Sequence, residues 1–317
     1  MIPVVDCANS DLTTDLVEAF TTIGFATVVN HGIDTNVIEE LRAMLPDLFA
    51  LPDEDKQQLQ ITPDNYRGFI PLGFFTPNRT DHSGTAPDQY EGYKLHWECP
   101  PDEPVTHACP LYGPNRWPPQ LPALRTAVEQ YWEACDRLSR HLMDALAGPL
   151  GVSTTTMASW FEQPLTNMTL LRYPATSQQR TGIHPHKDTN VITLVAPAPH
   201  GGLDIQTPDG TWIEPSIPSG GPDLPLIVNV GEMLELWSGG LFRATPHRVI
   251  NRTVEPRYSF PYFLVPNHSV TITPLLPANR STEPMPVGAV TTEVWRTNWP
   301  DQRPRSTQFD LGTLGDR

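Results

Sequence analysis

The chain has 317 residues, enough to bury a sizeable core in one large domain or two modest ones. Hydrophobic residues make up 38% and charged residues 18%, while 36 prolines and 21 glycines signal many turns, favouring a mainly β fold with flanking helices over a helical bundle. A formal net charge of -15 sets a field that repels phosphate backbones and anionic lipid, so neither nucleic acid nor a membrane is an expected partner.

In chain order, residues 2–6 (IPVVD) predict a short strand, and Asn9, Ser10 or Asp11 can cap a helix to about Thr22 with Leu12, Leu16, Val17 and Phe20 on one face. A strand follows in GFATVVNHGI (24–33), then a helix over 34–51 with Val37, Ile38, Leu41, Leu45 and Leu48 at helical spacing. Residues 52–119 are Pro-rich and aromatic, which predicts long ordered loops. A long helix is expected over 121–150, closed by Gly148 and Pro149. From Asn167 onward the pattern turns to eight short strands: MTLLRY, NVITLVA, GLDIQT, LPLIVNV, LELWS, HRVIN, YSFPYFLV and SVTITPL. Such a series suggests a closed or double-layered β fold, a double-stranded β-helix or jelly roll. The expected organisation is one catalytic unit over 1–317: an N-terminal region 1–120 with substrate loops, a supporting helix 121–160, a β core 165–268 and a C-terminal lid segment 269–317.

Cys7, Cys99, Cys109 and Cys135 are scattered without a CxxC pair, as expected of reduced thiols. The first twenty residues lack a basic stretch followed by an apolar one, so a cytoplasmic location is expected.

The chemistry concentrates in two places. In GIHPHKDTNVITLV, His186 and Asp188 stand two apart before an apolar run, and alternation along a strand would point both the same way. His247 follows 59 residues after Asp188, in TPHRVIN. Two imidazoles and one carboxylate make a facial triad that leaves open positions on a non-haem iron. Taken alone, H-x-D arises often by chance in a chain with 10 histidines; His184 also precedes His186 by two but is expected at the pocket mouth. Ten residues after His247 comes Arg257, with Ser259 beyond it, another i, i+2 pair. A guanidinium fork grips a carboxylate with two parallel hydrogen bonds, and a hydroxyl adds a third. Tyr173, in LLRYP, can reach the same group.

These segments together, with GGLDIQTPDGTW and VNVGEMLELWSGGLFRATPHRV, resemble the iron(II)/2-oxoglutarate dioxygenases of the isopenicillin N synthase-like superfamily, and cover most of the chain. The resemblance implies Fe(II) on His186, Asp188 and His247. It places Arg257 and Ser259 on the distal carboxylate of 2-oxoglutarate, with Tyr173 nearby. It also implies O2-dependent oxidation of a C–H bond in a small molecule, by hydroxylation, desaturation or ring closure. Two positions depart from the family pattern: Leu171 where plant members commonly carry Asn, and Lys187 where a small or hydroxylic residue is frequent. Strand alternation predicts that Lys187 points away from iron to a solvated rim.

Loops over 65–98 and a segment around Trp295 are expected to close the pocket, with Tyr66, Arg67, Phe69, Phe74, Lys94, His184 and Trp295 as candidate substrate contacts. Their mixture of aromatic and basic residues suggests a partly polar natural product or amino-acid derivative. The alternatives are an isopenicillin N synthase-like oxidase that needs no 2-oxoglutarate, an ethylene-forming activity suggested by YGPNRWP and LLRYP, a zinc hydrolase, and a binding module without chemistry.

Overall fold

The computed structural model describes residues 1–75, 87–177, 180–218, 221, 223–278 and 283–297. Strand β1 (Val4–Asp6), helix α1 (Leu12–Thr22), strand β2 (Phe25–Val29) and helix α2 (Thr35–Phe49) open the chain as its patterning predicts. Asp34 caps α2 by accepting the Asn36 amide, which satisfies one of the free N–H groups of its first turn.

The region expected to be loops contains more. After helix α3 (Asp53–Gln58), strands β3 (Gly68–Ile70) and β4 (Glu91–His96) extend the main sheet, and helix α4 (Val105–Ala108) follows. Residues 65–98 are therefore not a lid as a whole; part of the expected lid, 76–86, lies outside the described residues. The long helix α5 runs from Pro122 to Ala147, with proline in the first turn, where a missing N–H costs nothing. It packs Leu124, Tyr131, Leu138 and Leu142 into the core. Truncating one of these to alanine should cost about 2–5 kcal/mol.

Helix α6 (Thr154–Ser159) leads to strands β5 (Asn167–Tyr173), β6 (Arg180–His186), β7 (Ile192–Val195), β8 (Leu203–Gln206), β9 (Trp212–Ile213) and β10 (Leu226–Val230). LELWS, expected as a strand, belongs instead to helix α7 (Glu232–Trp237), where Met233, Leu234 and Trp237 share a buried face. Strand β11 (His247–Asn251) is followed by β12 (Arg257–Ser259) and β13 (Tyr262–Leu264), so YSFPYFLV is two strands, parted at Pro261. Strands β14 (Thr271–Ile272) and β15 (Met285–Pro286) pair before helix α8 (Val287–Thr297).

A nine-stranded sheet in the order β1-β2-β10-β7-β13-β5-β4-β3, with β12 also on β5, faces a four-stranded sheet β6-β11-β8-β9. One face of the large sheet, with Tyr93, Met168, Leu194 and Tyr262, packs into the helical core. Its other face meets the small sheet through Phe25, Ile227 and Ile205 at one end and Leu171, Tyr173 and Val249 at the other. This is the expected jelly roll, and the cleft between its sheets holds the polar residues. Among the described residues no helix is long and apolar enough to cross a membrane.

Candidate metal and co-substrate site

His186 ends β6 and His247 begins β11, and the two are directly paired across the ladder, with ring centroids 4.4 Å apart. Asp188 does not share a strand with His186, contrary to the alternation argument. It lies in the turn after β6, where its carbonyl accepts the Glu232 amide at 2.8 Å. The turn, not pleating, brings carboxylate and imidazole together. Asp188 Oδ1 sits 3.6 Å from Nε2 of each histidine, and one ligand atom from each residue falls within 4.8 Å of the others.

Each ligand's other atom is engaged. His186 Nδ1 meets the His184 carbonyl at 2.8 Å and His247 Nδ1 the Thr245 carbonyl at 3.1 Å, so both rings donate there and turn the Nε2 lone pairs inward. Asp188 Oδ2 accepts from Thr193 Oγ1 at 2.5 Å and from Asn229 Nδ2 at 2.8 Å, leaving Oδ1 for a metal. Thr193 and Asn229 form a supporting layer that sequence reasoning missed. Their only signal was one polar residue in each of two apolar strands.

Burial pushes His247 down to about 4. His186 is also desolvated, but its hydrogen bond and attraction to Asp188 outweigh this and raise it. Burial likewise opposes ionisation of Asp188, yet both histidines hold its carboxyl below the usual range. The three behave as one anion sharing its field with two imidazoles, a charge state suited to a divalent cation. His186 is the open member: its side chain is 36% exposed, against 9% for His247 and 8% for Asp188. Lys187 is not a solvated rim residue; it lies 3.5 Å from Glu235 of α7.

Arg257 pairs with Tyr173 across β12 and β5, its guanidinium 5.0 Å from the Tyr173 ring centroid. Its Nε donates to the Gly201 carbonyl at 2.7 Å, while buried Nη1 has no hydrogen-bond partner in the protein. Two glycines make this possible. Gly202, at φ +92°, would place a Cβ 2.6 Å from the Ile250 carbonyl and 3.3 Å from Arg257 Nε; a Cβ on Gly182 would come within 2.4 Å of the Tyr173 ring. Ser259 projects from the same face as Arg257 and is buried. A buried guanidinium with an unused N–H fits an anionic ligand, just as two nitrogens and one oxygen fit Fe(II).

The other candidates divide. Lys94 lies on the cleft face, beside Asn167 and Thr169. Tyr66 stacks on Trp295 with centroids 5.0 Å apart, and His184 Nδ1 meets Asp88 at 2.6 Å. Phe74 packs at the edge of a small cluster with Phe75 and Ile70. Arg67 turns away, donating to the Leu111 carbonyl, and Phe69 packs on Phe49 in the helical core. Those two do not face the cleft.

Two nitrogens and a carboxylate at the mouth of a jelly roll, with a buried arginine deeper in the same cleft, define the class of non-haem iron oxygenases that take an anionic co-substrate. Residues 2–120 match the family described as non-haem dioxygenase in morphine synthesis N-terminal, and residues 165–266 match the 2OG-Fe(II) oxygenase superfamily. A 2-oxoglutarate-dependent dioxygenase of Trichoderma harzianum is 32% identical over 248 residues, 74% of this chain and 72% of that protein. A homoarginine-6-hydroxylase of Arabidopsis thaliana is 28% identical over 296 residues, 87% of this chain and 80% of its own. The crystal structure of a Neurospora crassa protein in complex with alpha-KG aligns with a TM-score of 0.78 at 25% identity, covering 92% of this chain and 95% of that one. The chain belongs to the 2OG-Fe(II) oxygenase superfamily, and is an enzyme that uses Fe(II), 2-oxoglutarate and O2.

Proposed function

We propose that His186, Asp188 and His247 hold the iron, that Arg257, Ser259 and Tyr173 seat the distal carboxylate of 2-oxoglutarate, and that the enzyme oxidises a C–H bond of a small natural product or amino-acid derivative. The observation that carries this is the convergence of two Nε2 atoms on Asp188 Oδ1 at 3.6 Å each, with every opposite atom already hydrogen-bonded. When bound, iron with 2-oxoglutarate supplies the oxidant, and succinate and CO2 are released. The chain's own residues do the rest. His184 and Thr245 carbonyls orient the imidazoles, and Thr193 and Asn229 hold the carboxylate so that one oxygen faces the cleft. Arg257 offers its free N–H beside the Tyr173 ring, which shields that end from water. The amino-acid class draws support from the hydroxylase relative. Four buried free cysteines suit a reducing cytoplasm.

Anaerobic addition of Fe(II) and 2-oxoglutarate should give the weak visible charge-transfer band of the chelate, and O2 should then release succinate. Absence of the band with wild-type protein, or its survival in Asp188→Ala, would remove this assignment.

A further inference from the structure

Lys94 is a cation on the cleft face that, among the described residues, makes no ion pair with a carboxylate. It stands opposite Thr169 in the β4–β5 pairing, and its Nζ donates to Asn167 Oδ1 at 2.6 Å and Thr169 Oγ1 at 3.0 Å. Both acceptors are neutral, and an ammonium has three protons to give. Among the described residues no carboxylate lies within 4.0 Å of it. The rings of Tyr66 and Phe263 stand 5.8 and 5.4 Å from Nζ, and Trp295 stacks behind Tyr66. The charge is thus walled by aromatic faces, which favour a cation but leave its third N–H unused.

Its position relative to the metal site follows from the sheet. Phe263 pairs with Thr193 on one side and Asn167 on the other, so one inward row joins the residue that holds Asp188 to the residues that hold Lys94. Because Nζ donates to two side chains of β5, it sits over that strand, two strand spacings or about 10 Å from β7. That gap is the size of a small organic molecule. Burial pushes the amine down to about 7, partly offset by the field of Asp188. A buried ammonium in this condition is stabilised by any anion that reaches it.

We propose that Lys94 is the counter-ion for an anionic oxygen of the organic substrate, so that this oxygenase acts on small organic acids whose flat or apolar body lies between the acid group and the carbon presented to the metal. The proposal rests on the oxygenase reading above. A carboxylate at Lys94 completes the ammonium's three hydrogen bonds, while Tyr66 and Phe263 pack the body next to it. The corresponding primary amide has nearly the same shape but offers only a neutral acceptor. A guanidinium or ammonium group at the same place is repelled.

The test uses the whole chain, loaded with Fe(II) and 2-oxoglutarate, and sets phenylacetate, 3-phenylpropanoate and cinnamate against their primary amides. It reads the dissociation constant from tryptophan fluorescence and the stimulation of succinate release. The acids should bind at least about tenfold tighter than the amides, the size of one charge-assisted contact. Lys94→Gln, which keeps a donor for Asn167 and Thr169 but not the charge, should abolish that ratio, and Lys94→Arg should restore part of it. Lys94→Met serves if the glutamine variant folds poorly, judged by Tm. Equal binding of acids and amides by the wild type, no response to any acid, or an acid preference that survives in Lys94→Gln overturns the proposal. If the wild type releases no succinate with any compound and shows no charge-transfer band, it is the oxygenase assignment that fails.

Discussion

Replacing Thr193 by valine removes one hydroxyl and keeps nearly the same shape in a strand otherwise buried. The lost bond is the 2.5 Å contact to Asp188 Oδ2, and hydrogen bonds to charged groups are worth about 1.5–3 kcal/mol. Asn229 still donates to the same oxygen at 2.8 Å, so the carboxylate is not stranded, and about 2 kcal/mol is the reasonable figure. Asn190, which also donates to Thr193, keeps its second bond to the Ile192 carbonyl, so little is lost in the loop. The penalty falls on metal binding, because Oδ1 presents itself correctly only while Oδ2 is held. The apparent Kd for Fe(II) should rise on the order of 30-fold, inside the tenfold to hundredfold range typical of residues that orient metal ligands. Anaerobic titration with Fe(II), competed against a chelator of known affinity, measures it; a Tm taken in parallel checks the fold. A Kd within twofold of wild type at unchanged Tm would mean that Asp188 does not bind metal in the orientation described.

Alanine at His186, Asp188 or His247 should abolish turnover while leaving a folded protein; near-normal iron content in any one variant would remove that residue from the ligand set. Arg257→Lys should raise the KM for 2-oxoglutarate by about tenfold to thirtyfold, since lysine cannot reproduce the fork or the bond to the Gly201 carbonyl. An unchanged 2-oxoglutarate KM with a raised KM for the organic substrate would point to the isopenicillin N synthase-like role instead. Iron affinity should fall about tenfold per pH unit below the raised pKa of His186, because iron must displace the proton held there. His247, already neutral down to about pH 4, should add no second slope above that point. Calorimetric proton release between about pH 5 and pH 8, at roughly one proton or fewer per iron, checks this.

The strong periodic elements were legible. Helix α5 buries one face, and that face is written in its spacing, while strands β5, β7 and β10 are buried on both faces and read as short apolar runs. Strand β6 was not legible, although it carries His186: RTGIHPH holds Gly182 and Pro185, and its residues are only partly buried where it borders the open cleft. LELWS misled because a short amphipathic helix and a short buried strand carry the same few apolar residues; Gly231 before it and Glu232 in its first turn were the better guide. For the metal site, the sequence spacing identified the right residue types but the wrong geometry, since a turn and not a pleat joins His186 to Asp188. Arg67 and Phe69 were indistinguishable from cleft residues in sequence, because β3 was hidden in a Pro-rich stretch and its facing could not be assigned.

The cover over the three side chains of the metal site is uneven among the described residues. His247 and Asp188 are sealed beneath Phe25, Thr193 and Asn229, whereas His186 stands at the rim with more than a third of its side chain open. Among the described residues the open approach to the site is therefore on the His186 side, next to the hydrogen-bonded pair of His184 and Asp88. A chelator competing for a bound metal would meet the His186 side first, so the gradient of exposure across the three side chains would shape how the site exchanges its metal.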